Sequence, residues 1–180
     1  MITCMPDDYW KTPPFDHAGY APWLRDRGSL TQRIRQRCED FQVRNMFDGL
    51  APAARDETAL LGVPSRQQVY TRDVFLLADR RPVVFAHSVV AAHHLRGVWQ
   101  ALQHLGERSL GSLLFTHPLV KREPLHYRRL KPGHALYQRA ATALKAPANT
   151  LWARRSLFNL HGAPLLVTEI FLPDILELRK

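Results

Sequence analysis

The sequence has few cysteines, few acidic residues and no apolar run long enough to span a bilayer. Its two cysteines, Cys4 and Cys38, form no CxxC pair and are too few for a disulfide framework, so we expect a reducing compartment. The most apolar segments, residues 82–95 and 163–173, are interrupted by His or Glu and fall short of the roughly 20 residues of a transmembrane helix. Residues 1–20 contain acidic side chains and no apolar stretch, unlike a secretory signal. We therefore expect a cytoplasmic protein without stable membrane insertion.

Several catalytic and cofactor motifs are missing as well. The sequence contains no GxSxG, and neither cysteine has an identifiable activating neighbour, which argues against nucleophilic catalysis. It has no GxGxxG and no GxxxxGK[ST], so no loop is predicted to hold phosphates, and HExxH is absent. His87, His93 and His94 lack a carboxylate or cysteine companion at a recognised ligand spacing. We therefore expect no metal site at these histidines and no phosphate-binding loop.

The chain does have an excess of positive charge. It has 25 Lys and Arg against 16 Asp and Glu, a net charge of +9, and 46% apolar residues in 180. Such a chain forms one globular domain rather than a disordered segment. The charge suggests nucleic acid, an anionic membrane surface or an anionic small molecule as partner. The basic residues are scattered, and no helix-turn-helix, zinc-finger or RNP pattern accompanies them. Nucleic-acid binding therefore rests on charge alone.

Hydrophobic patterning predicts an α+β domain built on an antiparallel sheet. The predicted elements are a helix from Ser29 to about Cys38, strands 41–47, 68–78, 83–90, 151–160 and 164–172, a helix 95–105, an extended segment 118–130 and a helix 133–145. Residues 51–65 resemble a loop, and a turn is expected at Asp48-Gly49. Because tight turns join most strands, we expect a single domain with about six antiparallel strands and helices packed on one side. Residues 1–22 are predicted to be an irregular extension and residues 23–180 the domain.

Glu169 is the most informative charged residue of the last predicted strand. Alternate residues of a strand project to the same side, so Glu169 would share its side with the apolar residues Leu165, Val167 and Phe171. A carboxylate in that position is either exposed at a sheet edge or buried with partners, because burying it unpaired is very costly. If it lies in an apolar pocket, its pKa would be raised and it could donate a proton or a hydrogen bond. Both interpretations stay open at this point.

Arg72 and His87 pose the same question on the predicted hairpin. Arg72 shares parity with Tyr70, Val74 and Leu76, where its guanidinium either grips a carboxylate bidentately or pairs with another residue at the sheet rim. His87 lies in a nearly all-apolar strand. It is either a polar side chain near the strand end or a residue that lines a pocket.

The sequence resembles the chorismate lyase family, which opens the ubiquinone pathway in proteobacteria. Five segments match in order: GSLT at 28–31, SRQQVYTRDV at 65–74, LGERSLGSLLF at 105–115, WARRS at 152–156 and PLLVTEIFLP at 164–173. No single segment is decisive, but the five follow one another in the family's order over a span of about 150 residues. The resemblance implies an antiparallel sheet with helices and a buried active site under flap-like loops.

The resemblance also implies a reaction and a set of site residues. Family members convert chorismate to 4-hydroxybenzoate and pyruvate without a cofactor. Matched by motif, Arg72 would bind the ring carboxylate, Glu169 would face the 4-hydroxyl group, and Leu30 and Leu110 would complete the pocket. Arg72 and Glu169 are thus the expected catalytic residues.

Two further positions follow from a departure from the family's pattern at residue 87. This sequence has His87 where other members carry Arg, which is expected to alter contacts with the enolpyruvyl carboxylate. Arg155 then becomes a candidate for binding that second carboxylate. We expect chorismate and 4-hydroxybenzoate as the partners, no nucleic acid, and a monomer.

The main rival is a sensor that performs no catalysis. The same fold occurs as the ligand-sensing domain of bacterial transcription regulators, where a winged helix-turn-helix normally precedes it. Only about 22 residues precede the first matched helix here, which is too few for such a DNA-binding domain. We therefore expect an enzyme.

Overall fold

A seven-stranded antiparallel sheet forms the centre of the structure, a computed structural model that describes Trp10 and residues 19–178. The strands are β1 (Phe41–Pro52), β2 (Gln68–Ala78), β3 (Arg81–Ala91), β4 (Lys121–Arg122), β5 (His126–Leu130), β6 (Leu151–Leu160) and β7 (Ala163–Phe171). Their order is β1-β2-β3-β7-β6-β4, and β5 also pairs with β6. The predicted α+β class is confirmed. The number of strands exceeds the expected six because the extended segment 118–130 contains two short strands.

Short helices and 3₁₀ turns connect the strands. The helices are α1 (Ala21–Leu24), α2 (Leu30–Arg35), α3 (Arg55–Leu61), α4 (Leu110–Thr116) and α5 (Ala135–Ala141). Helix α1 crosses the predicted domain boundary at residue 22, and most of the predicted extension lies outside the described residues. Among the described residues, no helix has the length and apolar character needed to cross a membrane.

Three local predictions need correction. The segment 51–65 is not all loop, because α3 forms there with the Glu57 carboxylate accepting a hydrogen bond from the Ala54 amide at 2.8 Å. The turn expected at Asp48-Gly49 is absent, since β1 continues through it to Pro52. The periodic segment 95–105 forms two 3₁₀ turns instead of one α-helix.

The helices cover both faces of the sheet, not one as expected. We call the face with the side chains of Arg72 and Ser88 the pocket face, and the face with those of Asp73 and His87 the back face. Helices α1, α2 and α4 pack on the pocket face, whereas α3 and α5 pack on the back face. The reason is that β2 is buried at every position after its first residue. A strand that is buried on both sides needs cover on both sides.

Two tight hairpins bring the site residues together. At the β2–β3 turn Asp79 and Arg80 both have positive φ, as do His161 and Gly162 at the β6–β7 turn, which is the pattern of two-residue hairpin loops. Because β3 also pairs with β7, the two hairpins lie side by side. Residues far apart in the sequence thereby become neighbours across the pocket face.

Candidate active site

An enclosed pocket lies between the pocket face and helices α2 and α4. Its floor consists of small side chains on the central strands, among them Ala86, Ser88 and Val167. Leu30, Leu110 and Leu114 cover it from the two helices. The enclosed volume is about 40 Å³, well below the roughly 300 Å³ or more of a typical ligand pocket. A ligand of that size therefore requires the lining side chains or helices α2 and α4 to shift.

Arg72 reaches this pocket from β2 and is 2% exposed. Its Nη2 donates to the carbonyl oxygens of Gly106 at 2.8 Å and Arg108 at 3.0 Å, in the turn that leads into α4. Its buried Nε has no hydrogen-bond partner among the described residues, and no described carboxylate lies within ion-pair distance. Burial lowers the pKa of this guanidinium, which the charge of Asp48 partly offsets. Arg72 is thus anchored on one side and offers donors to an anion on the other.

Glu169 lines the same pocket from β7, which lies in the interior of the sheet between β3 and β6. The exposed-edge interpretation of Glu169 is therefore wrong. Its Oε2 accepts a hydrogen bond from Arg154 Nε at 2.5 Å, and Arg154 is fully buried. Glu169 therefore faces the pocket with a buried guanidinium as its partner, not as an isolated carboxyl group among apolar side chains.

Helices α2 and α4, which cover the pocket, form its roof. They begin at Leu30 and Leu110, and their first turns are in contact. The hydroxyl oxygens of Thr31 and Ser109 lie 2.6 Å apart and are buried, so one donates to the other. Gly111 permits this approach, because a Cβ at that position would lie 3.1 Å from the Thr31 hydroxyl oxygen. The hydroxyl pair holds α2 and α4 together over the pocket.

His87 lies on the back face, away from the pocket. Its Nδ1 is 2.5 Å from an Asp73 carboxylate oxygen and its Nε2 is 2.8 Å from one of Glu57. Burial alone would lower the pKa of His87, but hydrogen bonds to the two carboxylates outweigh it and raise the pKa to about 9. The expectation that His87 lines the substrate pocket needs correction, because it has the opposite strand parity to Ser88.

Arg155 also lies on the back face. Its Nη1 is 3.0 Å from a carboxylate oxygen of Asp56, and its guanidinium lies 4.3 Å from the ring centre of Trp10. The proposed contact of Arg155 with a second carboxylate in the pocket is therefore not supported. The cause is again parity: in the pair Arg154-Arg155, the first side chain points to the pocket face and the second away from it.

Sequence reasoning missed two arginines at the pocket. Arg154 lies in the matching segment WARRS, and it is paired with Glu169 across β6 and β7, a register that the sequence alone does not show. Arg122 lines the pocket from β4, where it pairs with Phe158 at the sheet edge. A two-residue strand has no periodicity, so nothing in the pattern singled out Arg122.

Metal ligands do not converge in the described part of the chain, where no group of three or more His, Cys, Asp or Glu side chains is arranged to hold an ion. The pocket offers guanidinium groups, one carboxylate, hydroxyl groups and apolar walls. This set can bind and orient a small aromatic or cyclic anion.

Comparison with solved structures finds domains of similar fold. The effector domain of PhnF from Mycobacterium smegmatis superposes with a TM-score of 0.59 at 16% identity, covering 82% of this chain and 90% of that chain. The ligand-binding domain of a GntR-family transcriptional regulator from Bordetella bronchiseptica gives 0.54 at 16% identity, covering 75% and 86%. At these identities the likeness shows the fold alone.

Comparison of sequences defines the family. The sequence model of the family described as "Chorismate lyase" matches residues 15–179. The protein named "Probable chorismate pyruvate-lyase" of Nitrosospira multiformis is 51% identical over 157 residues, covering 87% of each chain. The protein of the same name from Aromatoleum aromaticum is 47% identical over 177 residues, covering 96% of this chain and 95% of its own. The chain belongs to the chorismate lyase family.

Proposed function

We propose that this protein converts chorismate to 4-hydroxybenzoate and pyruvate, the first committed step of ubiquinone biosynthesis, without a metal or organic cofactor. Family membership supports the reaction. The observation that carries the assignment to this pocket is the meeting of an unmatched buried guanidinium, Arg72, with an oriented carboxylate, Glu169. A site for chorismate has to bind its carboxylates and recognise its 4-hydroxyl group.

Binding begins with the ring carboxylate at Arg72. The Nε of Arg72 is a free donor, and charge-assisted hydrogen bonds to a carboxylate are strong in a buried site. Leu30 and Leu110 pack over the ring and exclude water. The ring is thereby fixed at one end, with its opposite end directed toward β7.

The elimination then needs orientation and charge stabilisation. The bond between C3 and the ether oxygen breaks, the hydrogen at C4 is lost, and the ring becomes aromatic, which supplies the driving force. The electron pair of the ether bond leaves with the enolpyruvate, which takes up the proton released from C4 by way of Glu169 and becomes pyruvate. Glu169 accepts a hydrogen bond from the 4-hydroxyl group and so orients the carbon that loses its hydrogen. Holding the reactive conformer is the main task of the protein.

Incubation of the purified protein with chorismate, followed by quantification of both products, tests this function. We expect equal amounts of 4-hydroxybenzoate and pyruvate. The rival function, a sensor without catalysis, is suggested by the similar fold of a ligand-binding domain from a GntR-family transcriptional regulator. Tight chorismate binding without product would favour the sensor and contradict the enzyme.

We also propose that the protein acts as a cytoplasmic monomer on these small molecules, not on nucleic acid. A sharp fall of affinity for duplex DNA with rising salt would contradict this part of the proposal, because phosphate contacts release counterions. Size-exclusion chromatography with light scattering tests the monomer.

A further inference from the structure

The positive charges that face the pocket outnumber the negative ones. Glu169 is balanced by Arg154 at 2.5 Å. Arg72 and Arg122 also line the pocket, and among the described residues neither has a carboxylate within ion-pair distance. The pocket therefore offers two unmatched guanidinium groups.

The two groups lie at opposite ends of the pocket floor. One row of paired residues on the pocket face runs across the sheet from Arg72 through Ser88 and Val167 to Ser156. Three strand spacings separate its ends, a backbone distance of about 14 Å. The Nε of Arg122 donates to the Ser156 hydroxyl at 2.8 Å, which places Arg122 at the far end from Arg72.

Arg122 is also fixed in place by its surroundings. Its Nη1 donates to the Arg27 carbonyl oxygen at 3.0 Å, just before the roof helix α2. Its guanidinium lies 5.2 Å from the ring centre of Phe158 and 5.5 Å from that of Phe115. Burial lowers the pKa of Arg122 more than the charge of Glu169 raises it. Holding a cation this way without a matching anion costs free energy, which a bound anion would offset.

We propose that Arg122 is a substrate-binding residue that receives the second carboxylate of a dianionic substrate, whose first carboxylate binds Arg72. This inference rests on the proposed function, in which the second carboxylate belongs to the enolpyruvyl group of chorismate. It assigns to Arg122 the role that sequence reasoning gave to Arg155. Because 4-hydroxybenzoate has only one carboxylate, Arg122 distinguishes substrate from product.

The test compares R122Q with K121Q. Lys121 is the exposed neighbour in the same two-residue strand, so K121Q removes the same charge from outside the pocket. Affinities for chorismate and 4-hydroxybenzoate are measured by titration calorimetry, and kcat/KM is measured by steady-state kinetics. The chorismate titration is kept as short as possible, because the active enzyme consumes this ligand. We expect R122Q to weaken chorismate binding and kcat/KM by about 30-fold or more, the effect of removing one partner of a buried charge pair. Its affinity for 4-hydroxybenzoate should stay within threefold of wild type, and K121Q should match wild type in every measurement.

Equal losses for both ligands, or no loss for chorismate, would overturn the inference. If R122Q fails to fold, R122K retains the charge without the planar fork, and we expect it to show a smaller loss that again affects chorismate only. The comparison of affinities does not depend on whether the protein converts chorismate. A wild type that binds chorismate without product would contradict the proposed function, while selective weakening by R122Q would still support Arg122.

Discussion

The Nε of Arg154 lies 2.5 Å from Oε2 of Glu169, and the same guanidinium holds the chain that leads into the pocket roof. Its Nη1 donates to the carbonyl oxygens of Trp23 at 2.7 Å and Asp26 at 2.6 Å. Arg154 therefore couples the orientation of the pocket carboxylate to the position of helix α2. In the proposed function Arg154 is a positioning residue, because it would act on the ligand through Glu169.

Replacing Arg154 by Gln should destabilise the fold, because Glu169 would be left as a largely buried charge without its partner. We expect a loss of about 3–5 kcal/mol in the free energy of unfolding, measured by urea denaturation. The double variant R154Q/E169Q should recover part of this loss, since it removes both charges. Strict additivity of the two single variants would contradict the coupling.

Replacing Glu169 by Gln keeps the shape of the side chain and removes its charge. We expect kcat for chorismate to fall by about 100-fold, because an amide is a weaker acceptor for the 4-hydroxyl group and cannot take up a proton. Steady-state kinetics measures this, and a thermal melt shows whether the variant is folded. Turnover within threefold of wild type would exclude both a proton-transfer role and charge-dependent orientation.

Replacing Thr31 by Val should loosen the contact between the roof helices. The variant loses the hydrogen bond to Ser109 at nearly constant volume, which is worth about 1 kcal/mol. We expect 4-hydroxybenzoate to dissociate about fivefold faster in a stopped-flow displacement experiment. Thr116 provides the matched control, because it is an exposed threonine whose hydroxyl bonds within α4. A T116V variant as fast as T31V would show that the contact with Ser109 is not what retains the product.

The His87 cluster on the back face should make stability depend on pH. The pKa of His87 is about 9 in the folded protein and about 6.5 in the unfolded chain, so its contribution is fully present below pH 6.5. It is lost as pH rises from 6.5 through about 9, and the expected loss is on the order of 3 kcal/mol. Urea denaturation across this range measures it. An H87N variant should show a flatter profile, and an equally steep one would contradict the assignment.

The central hairpins were predictable because their strands are long and their turns are local. The β2 bounds at 68–78 follow from a run of β-branched and aromatic residues, and the Asp79 turn from its neighbours. Helix α3 was missed because its N-cap is Ala54, which offers no capping side chain. Local patterns predict an element well where residues typical of a turn or a helix cap stand at its ends.

The site was predictable only in part, because it depends on how strands face one another. Arg72, Glu169, Leu30 and Leu110 meet in one pocket as expected, whereas His87 and Arg155 lie on the other face. Parity within one strand does not state which face holds the pocket. To know whether His87 on β3 and Arg155 on β6 lie on the same face as Arg72, one needs the register between the strands. Only the tertiary structure provides that register.

The most direct test of the account is chorismate turnover by wild type and by an Arg72→Ala variant, measured side by side. Arg72 offers the buried, unmatched donor that the proposed function assigns to the ring carboxylate. We predict that wild type releases 4-hydroxybenzoate and pyruvate in equal amounts, and that Arg72→Ala raises KM strongly, with kcat/KM lower by about 100-fold or more. Unchanged KM and kcat in the variant, or no 4-hydroxybenzoate from wild type, would contradict the account.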